Sequence, residues 1–315
     1  MANTDKSNAI SEDWAEKIEG YKDFLILEKS LSENSVSAYI NDLSKLAGFS
    51  SKKADSLLLP DLEEFLNALD EADLGKRSQA RVVSSLKGFY KYMALEHDLE
   101  KNPASLLESP QLPKKLPEVL SIDEIDQMLA AVDLSSSEGH RNKAIIETLY
   151  SCGLRVTELI NLRTEDLFFE EGFIRVIGKG QKQRLVPIGE KAISEISLYA
   201  DNYRRHISPK PESEDILFLN RRGNKLSRVM IFTIVKNLAH QAEINKTVSP
   251  RTFRHSFATH LIEGGANLRA VQEMLGHESI LTTEIYTHID RHFLQQTVND
   301  YHPRSDRRSP DNFKK

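Results

Sequence analysis

Residues 249–286 read SPRTFRHSFATHLIEGGANLRAVQEMLGHESILTTEIY. Ser249-Pro250 is a helix start, because serine suits the N-cap and proline the first helical turn. From there Phe253, Phe257 and Leu261 recur at i, i+4 and i+8, an apolar stripe that should face a core. Arg251, Arg254 and Ala258 form a neighbouring stripe, which predicts two guanidiniums together at the edge of the buried face. Gly264-Gly265 stops the helix. A second, shorter helix follows with Leu268, Val271 and Leu275 inward, ending at Gly276-His277. A third segment presents Tyr286. The stretch therefore predicts a helical domain carrying two arginines, a histidine just after a helix stop, and a tyrosine downstream.

The remainder of the chain is read as support for that unit. At 315 residues it is long enough for two domains of ordinary size. No run approaches the roughly 20 apolar residues that span a bilayer, so no membrane segment is expected. The N-terminus MANTDKSNAISEDW lacks the apolar core of a secretory signal. Cys152 is the single cysteine, so no internal disulfide is possible, and a reducing cytoplasm is the expected location. Net charge is −5. Residues 1–110 carry 13 Lys and Arg against 20 Asp and Glu, and residues 111–315 carry 29 against 27. Neither part is basic overall, so a nucleic-acid surface must be a local patch with salt-sensitive affinity.

Taken in order, helical periods appear at 12–29 (Trp14, Ile18, Tyr21, Leu25), after Ser32 (Val36, Tyr39, Ile40, Leu43), and after Pro60 (Leu62, Phe65, Leu66, Leu69). A fourth, at 77–95, places Val83, Leu86, Tyr90 and Met93 on one face. Four helices with short joints predict a bundle over 12–100. The opposite face of the fourth helix carries Arg77, Arg81 and Lys87 among serines, which suits either a DNA backbone or plain solvent. Residues 101–118, KNPASLLESPQLPKKLPE, contain four prolines and read as an extended interdomain linker. The second domain runs over 119–302, opening with a capping-box pattern, Ser121-Ile122-Asp123-Glu124. A core helix at 141–150 ends near Gly153, and Arg155 stands at the start of the next helix with Glu158 in reach to orient it. Leu167–Phe169, Phe173–Ile177 and Arg184–Ile188 are short β-rich runs, predicting a small antiparallel three-stranded sheet with Lys179 at a glycine-flanked hairpin tip. Helices resume at 190–206 and 227–243. After Asp290, Phe293, Leu294 and Val298 mark a short apolar helix. Residues 1–10 and 303–315 read as disordered tails. The fold class is thus mainly α: a four-helix domain, then a mixed α/β, mostly helical domain.

Arg155, Lys179, Arg251, Arg254, His277 and Tyr286 form a set suited to a phosphodiester without a metal. Arginines clamp the nonbridging oxygens bidentately. A tyrosine attacks in line once its proton is shared or lost. A flexible lysine protonates the leaving 5′-oxygen. A covalent phosphotyrosine would conserve the bond energy, so strands could be rejoined without ATP, and no cofactor is expected. Each residue also has an ordinary reading. Tyr286 could be structural, His277 a helix C-terminal cation, Arg254 a partner of Glu263, Lys179 a solvated tip and Glu158 a surface acid. The GKG at 178–180 lacks the five-residue lead of a phosphate loop. His255, His260, His277 and His288 show no metal-ligand spacing.

The stretches GLRVTEL (153–159), VIGKGQKQRLVPI (176–188), SPRTFRHSFATHLIEGGANLRAVQEMLGH (249–277) and TTEIYTHI (282–289) resemble the tyrosine recombinase (phage integrase) family, most closely the XerC/XerD group. SENSVSAYINDL (32–43), RSQARVVSSLKGFYKYM (77–93) and NPASLLESPQLPKKLP (102–117) extend the resemblance over roughly residues 12–300. It implies an N-terminal SAM-like core-binding domain and a catalytic domain closing around double-stranded DNA. It implies that Arg155 and Arg254 clamp phosphate, Lys179 is the general acid, His277 completes the phosphate site, and Tyr286 forms a 3′-phosphotyrosyl link. Arg251 departs from the pattern, standing where the family usually has histidine, and arginine does not readily accept a proton. The resemblance further implies a homo- or hetero-tetramer with a second Xer-type recombinase on two DNA sites, and a DNA translocase as a partner in chromosome dimer resolution. The helix near Phe293–Val298 would dock into a neighbouring subunit; self-packing is the alternative. Competing readings are a mobile-element integrase or invertase, a DNA-binding protein with lost catalysis, and a monomeric type IB topoisomerase.

Overall fold

The computed structural model describes residues 10–29, 31–112, 118–178, 181–276 and 291–304, without the side chains of Ser137 and 291–293. Lys179, His277, Tyr286 and Phe293's side chain lie outside the described residues, as do residues 1–9, 113–117 and 305–315. The chain divides into two compact units between residues 115 and 116.

The first unit is helical: α1 (Glu12–Leu27), α2 (Glu33–Phe49), α3 (Leu59–Glu71) and α4 (Lys76–Glu96). Trp14, Ile18, Tyr21 and Leu25 are all buried on α1, as their spacing predicts. Ser32 caps α2 by accepting a hydrogen bond from the Ser35 amide at 3.4 Å. Pro60 lies in the first turn of α3, where Asp61 accepts from the Leu58 amide at 2.9 Å. Phe89 of α4 stacks against Trp14 and meets Tyr21 edge-on, tying α4 to α1. Ala104 and Leu107 are buried in the same core, so the start of the proline-containing stretch belongs to the bundle.

The second unit holds α5 (Ile122–Ala130), α6 (Ser137–Cys152), α7 (Val156–Ile160), β1 (Leu167–Phe168), β2 (Phe173–Ile177), β3 (Gln183–Pro187), α8 (Glu190–Asn202), α9 (Arg228–Gln241), α10 (Pro250–Glu263), α11 (Leu268–Leu275) and α12 (Arg291–Tyr301). The Ser121–Glu124 capping box forms as expected, with bonds of 3.1 and 2.6 Å. Helix α6 is the central element; Ile145, Ile146, Leu149 and Tyr150 are inaccessible, and it packs against α8 and α10. The strands pair antiparallel in the order β1-β2-β3, with Val176 opposite Arg184.

Phe253, Phe257 and Leu261 of α10 are fully buried. Phe253 joins the main core, whereas Phe257 and Leu261 pack with Val271, Met274 and Val298 in a second cluster. The buried face of α11 is Ala270, Val271, Met274 and Leu275; Leu268 is exposed, contrary to its expected place. It occupies the first position of α11, before the helix reaches that cluster. Helix α12 packs on its own chain through Val298. Beyond it His302 and Arg304 are buried, so the packed chain runs past residue 302 into the stretch expected to be a disordered tail.

Candidate active site

Three helix ends, the N-terminal part of α10 and one strand build the site. Helix α6 stops at Gly153 in the left-handed conformation, φ +57°. A Cβ there would stand 2.5 Å from the Phe257 ring, so close packing of α10 on this turn requires glycine. The turn leaves Arg155 as N-cap of α7 with extended backbone. Glu158, three residues on, reaches back; it accepts from the Arg155 amide at 2.8 Å and from Arg155 Nη1 at 2.9 Å. The expectation that Glu158 orients Arg155 is met, and Glu158 is no surface acid, since its side chain is only 1% exposed.

Helix α11 ends at Gly276, again left-handed at φ +61°. Such an end leaves carbonyls without helical partners and carries the negative pole of the helix dipole. Three consecutive carbonyls each accept from a different arginine. Met274 takes Arg184 Nε at 2.9 Å, Leu275 takes Arg254 Nη2 at 2.5 Å, and Gly276 takes Arg155 Nη2 at 2.9 Å. Arg254 also donates Nη1 to the Gly153 carbonyl at 2.7 Å. Arg155 from α7, Arg254 from α10 and Arg184 from β3 thus converge on the residues immediately before His277. Arg254 pairs with main-chain carbonyls, not with Glu263.

Arg184 was not singled out in the sequence. It grips Glu158 with both terminal nitrogens, Nη1–Oε1 at 2.8 Å and Nη2–Oε2 at 2.9 Å. The only sequence signal was a charge inside a five-residue strand, which period alone cannot aim at a partner.

The electrostatics follow from these contacts. Burial opposes ionisation of Glu158, but the hydrogen bonds and charge of Arg184, with those of Arg155, outweigh it and hold the carboxyl below its ordinary range. Burial draws Arg254 down to about 10, helped by the nearby charges of Arg155 and Arg184 and opposed by Glu158; it remains a cation at neutral pH. Three guanidiniums against one carboxylate leave an excess of positive charge at a partly exposed surface, suited to an anionic oxygen cluster. Cys152, by contrast, is buried, and burial pushes its thiol up, so it is no nucleophile here.

Arg251 lies one turn before Arg254 but is exposed, and its Nε donates to His255 Nε2 at 3.1 Å. Burial, then the charges of Arg251 and Arg254, lower the proton affinity of His255, so it accepts this bond as neutral imidazole. The two guanidiniums of α10 therefore have different partners and different exposure. In the first unit, Arg77 and Lys87 are exposed on α4. Arg81 differs from the expected exposed basic face: its guanidinium donates to the Ala38 carbonyl at 3.0 Å and pairs with the buried Asp42 carboxylate. Ser85 donates to the same carboxylate at 2.9 Å. That pair ties α4 to α2.

The phage integrase family profile matches residues 118–292, and the phage integrase N-terminal SAM-like domain profile matches residues 18–97. The chain is 40% identical over 292 residues to a tyrosine recombinase XerD of Staphylococcus haemolyticus, covering 91% of this chain and 99% of that protein. It is 42% identical over 299 residues to a tyrosine recombinase XerD of Chlorobaculum tepidum, covering 93% and 98%. Among solved structures, the XerH site-specific recombinase bound to its difH substrate in a pre-cleavage complex shares the fold, with a TM-score of 0.68 at 23% identity over 90% of this chain and 95% of that one.

Proposed function

This chain belongs to the phage integrase family and is a Xer-type tyrosine recombinase, an enzyme of site-specific DNA cleavage and religation; from that premise we propose how its residues divide the reaction. Arg155 and Arg254 clamp the nonbridging oxygens of the scissile phosphate. Tyr286 gives up its phenolic proton to solvent water and attacks phosphorus in line; its oxygen–phosphorus bond forms as the bond to the 5′-oxygen breaks, leaving a 3′-phosphotyrosyl link. Lys179 gives a proton to the departing 5′-oxygen, and His277 completes the phosphate site. Religation reverses each step, with the 5′-hydroxyl of the partner strand as nucleophile. The observation that carries this reading is the convergence of Arg155 and Arg254 on the carbonyls that directly precede His277. A preorganised pair of guanidiniums stabilises the charge that gathers in a phosphorane-like transition state.

The substrate in this reading is a double-stranded DNA recombination site, bound by a homo- or hetero-tetramer that includes a second Xer-type subunit. Exchange passes through a Holliday junction, in the cytoplasm. The biological task is resolution of chromosome dimers at cell division, with a DNA translocase as a further partner. The support is the naming of the relatives as XerD recombinases over nearly their full length. The test begins with duplexes selected by the protein from a random-sequence pool. Two copies of the selected site on one plasmid should be recombined by the purified chain, alone or with its second recombinase. Binding without junction or recombinant product, under either condition, would refute the reading.

A further inference from the structure

Arg184 is tied into the site more tightly than either clamp arginine, yet it is poorly placed to touch DNA. Its side chain is 15% exposed, against 40% for Arg155. Its Nε and both terminal nitrogens are engaged, by the Met274 carbonyl and by both oxygens of Glu158. The fit around it is close. A Cβ on Gly276 would meet the Arg184 side chain at 3.2 Å, and one on Gly178 would meet its Nη1 at 3.7 Å.

Glu158 is the reason such a residue matters. Its buried carboxylate accepts four bonds, two from Arg184 and two from Arg155. A lone Arg155–Glu158 pair would be neutral, and its guanidinium would be drawn flat onto the carboxylate. With Arg184 present, the trio of one carboxylate and two guanidiniums keeps one positive charge, and the more exposed arginine presents it.

We propose that Arg184 is a positioning residue of the phosphate site, which by satisfying Glu158 keeps Arg155 free to act on DNA. The inference rests on the assignment of Arg155 as a phosphate clamp. Arg184 commits Nε and both terminal nitrogens to protein groups. It acts through Glu158, and through the Met274 carbonyl it also holds the end of α11.

The test measures covalent adduct formation on a nicked suicide duplex carrying the sequence that the wild-type protein selects from a random pool. Arg184→Met should slow adduct formation roughly 100-fold, the scale of losing one charge-stabilising donor. Adding Glu158→Gln should restore roughly tenfold of that loss, because a neutral amide no longer captures Arg155. A merely structural brace between β3 and α11 predicts the opposite, a double variant no faster than the single one. Arg184→Lys keeps the charge and carries the test should the methionine variant fail to fold; it should cleave at an intermediate rate. Wild-type cleavage by folded Arg184→Met, absence of charge rescue, or complete loss in a folded Arg184→Lys would each overturn the proposal. If Arg155→Ala abolishes the adduct while folded Arg184→Met cleaves at the wild-type rate, this inference alone fails. If Arg155→Ala and Tyr286→Phe both still form adduct, the underlying assignment fails.

Discussion

Arg251 stands one turn before Arg254 on α10, exposed, with Nε bonded to His255. Arginine donates to phosphate but does not readily take a proton. A histidine at this position can do both near neutral pH. We therefore expect Arg251→His to raise the rate of single-turnover cleavage severalfold on a suicide duplex; an unchanged rate would show that residue 251 takes no part in proton transfer. Arg81 makes a separate prediction at the same scale. Its partner Asp42 is inaccessible, so Arg81→Ala strands a buried carboxylate and should cost about 3 kcal/mol of first-unit stability by urea unfolding. A loss of DNA affinity with unchanged stability would instead mark Arg81 as a backbone contact.

At the scale of elements, the site is an arrangement of helix ends. The α6 stop at Gly153 supplies a carbonyl to Arg254 and a gap for Phe257. Gly153→Ala puts a Cβ 2.5 Å from that ring at a φ of +57°. We expect a loss of more than about 1 kcal/mol in stability, together with slower cleavage as the carbonyl that steadies Arg254 shifts. Wild-type stability and cleavage in this variant would contradict the packing described. These elements were largely legible beforehand. Ser249-Pro250, the Phe253–Phe257–Leu261 stripe, Ser121–Glu124 and the glycine stops are local signals, written in cap chemistry and period. Arg155 with Glu158 was legible for the same reason, being three residues apart. Arg184 was not, because its partners come from α7 and α11, and strand alternation does not name a partner across sequence. Arg81 with Asp42 escaped likewise, since the two are joined only by packing of α4 on α2. Leu268 fitted the period of α11 but not its reach, because period says nothing about where a neighbouring core ends.

At the scale of the molecule, each unit has its own core, and the second is closed by its C-terminal segment. Val298, His302 and Arg304 are buried, so truncation after Asp290 should destabilise the second unit itself, whatever it does to assembly. The same segment makes this unit acid-sensitive. Burial, then the neighbouring His260 and Arg304, press His302 down to about 3 from 6.5, and burial lowers His260. The folded state thus prefers neutral imidazoles, and the unfolded chain binds more protons below 6.5. Their contribution is complete above pH 6.5 and drains as pH falls toward about 3. Glu158, whose folded value is depressed, adds stability that is complete above 4.5 and lost as pH falls through its folded value. Each group contributes a slope of at most about 1.4 kcal/mol per pH unit. Burial raises Glu147, beside Arg304, and it pulls the opposite way, so the histidine contribution is read by difference: the urea midpoint of the second unit should fall less from pH 7 to pH 5 in His302→Asn than in the wild type, and equal changes in the two would contradict it. The whole reaction turns on one bond, between Tyr286 and a DNA 3′-phosphate. On a nicked duplex bearing the selected site, the wild-type chain should leave a denaturant-resistant protein–DNA adduct with a free 5′-hydroxyl, mapped by peptide mass to Tyr286. Tyr286→Phe should leave none, and an adduct that persists in that variant would contradict the account.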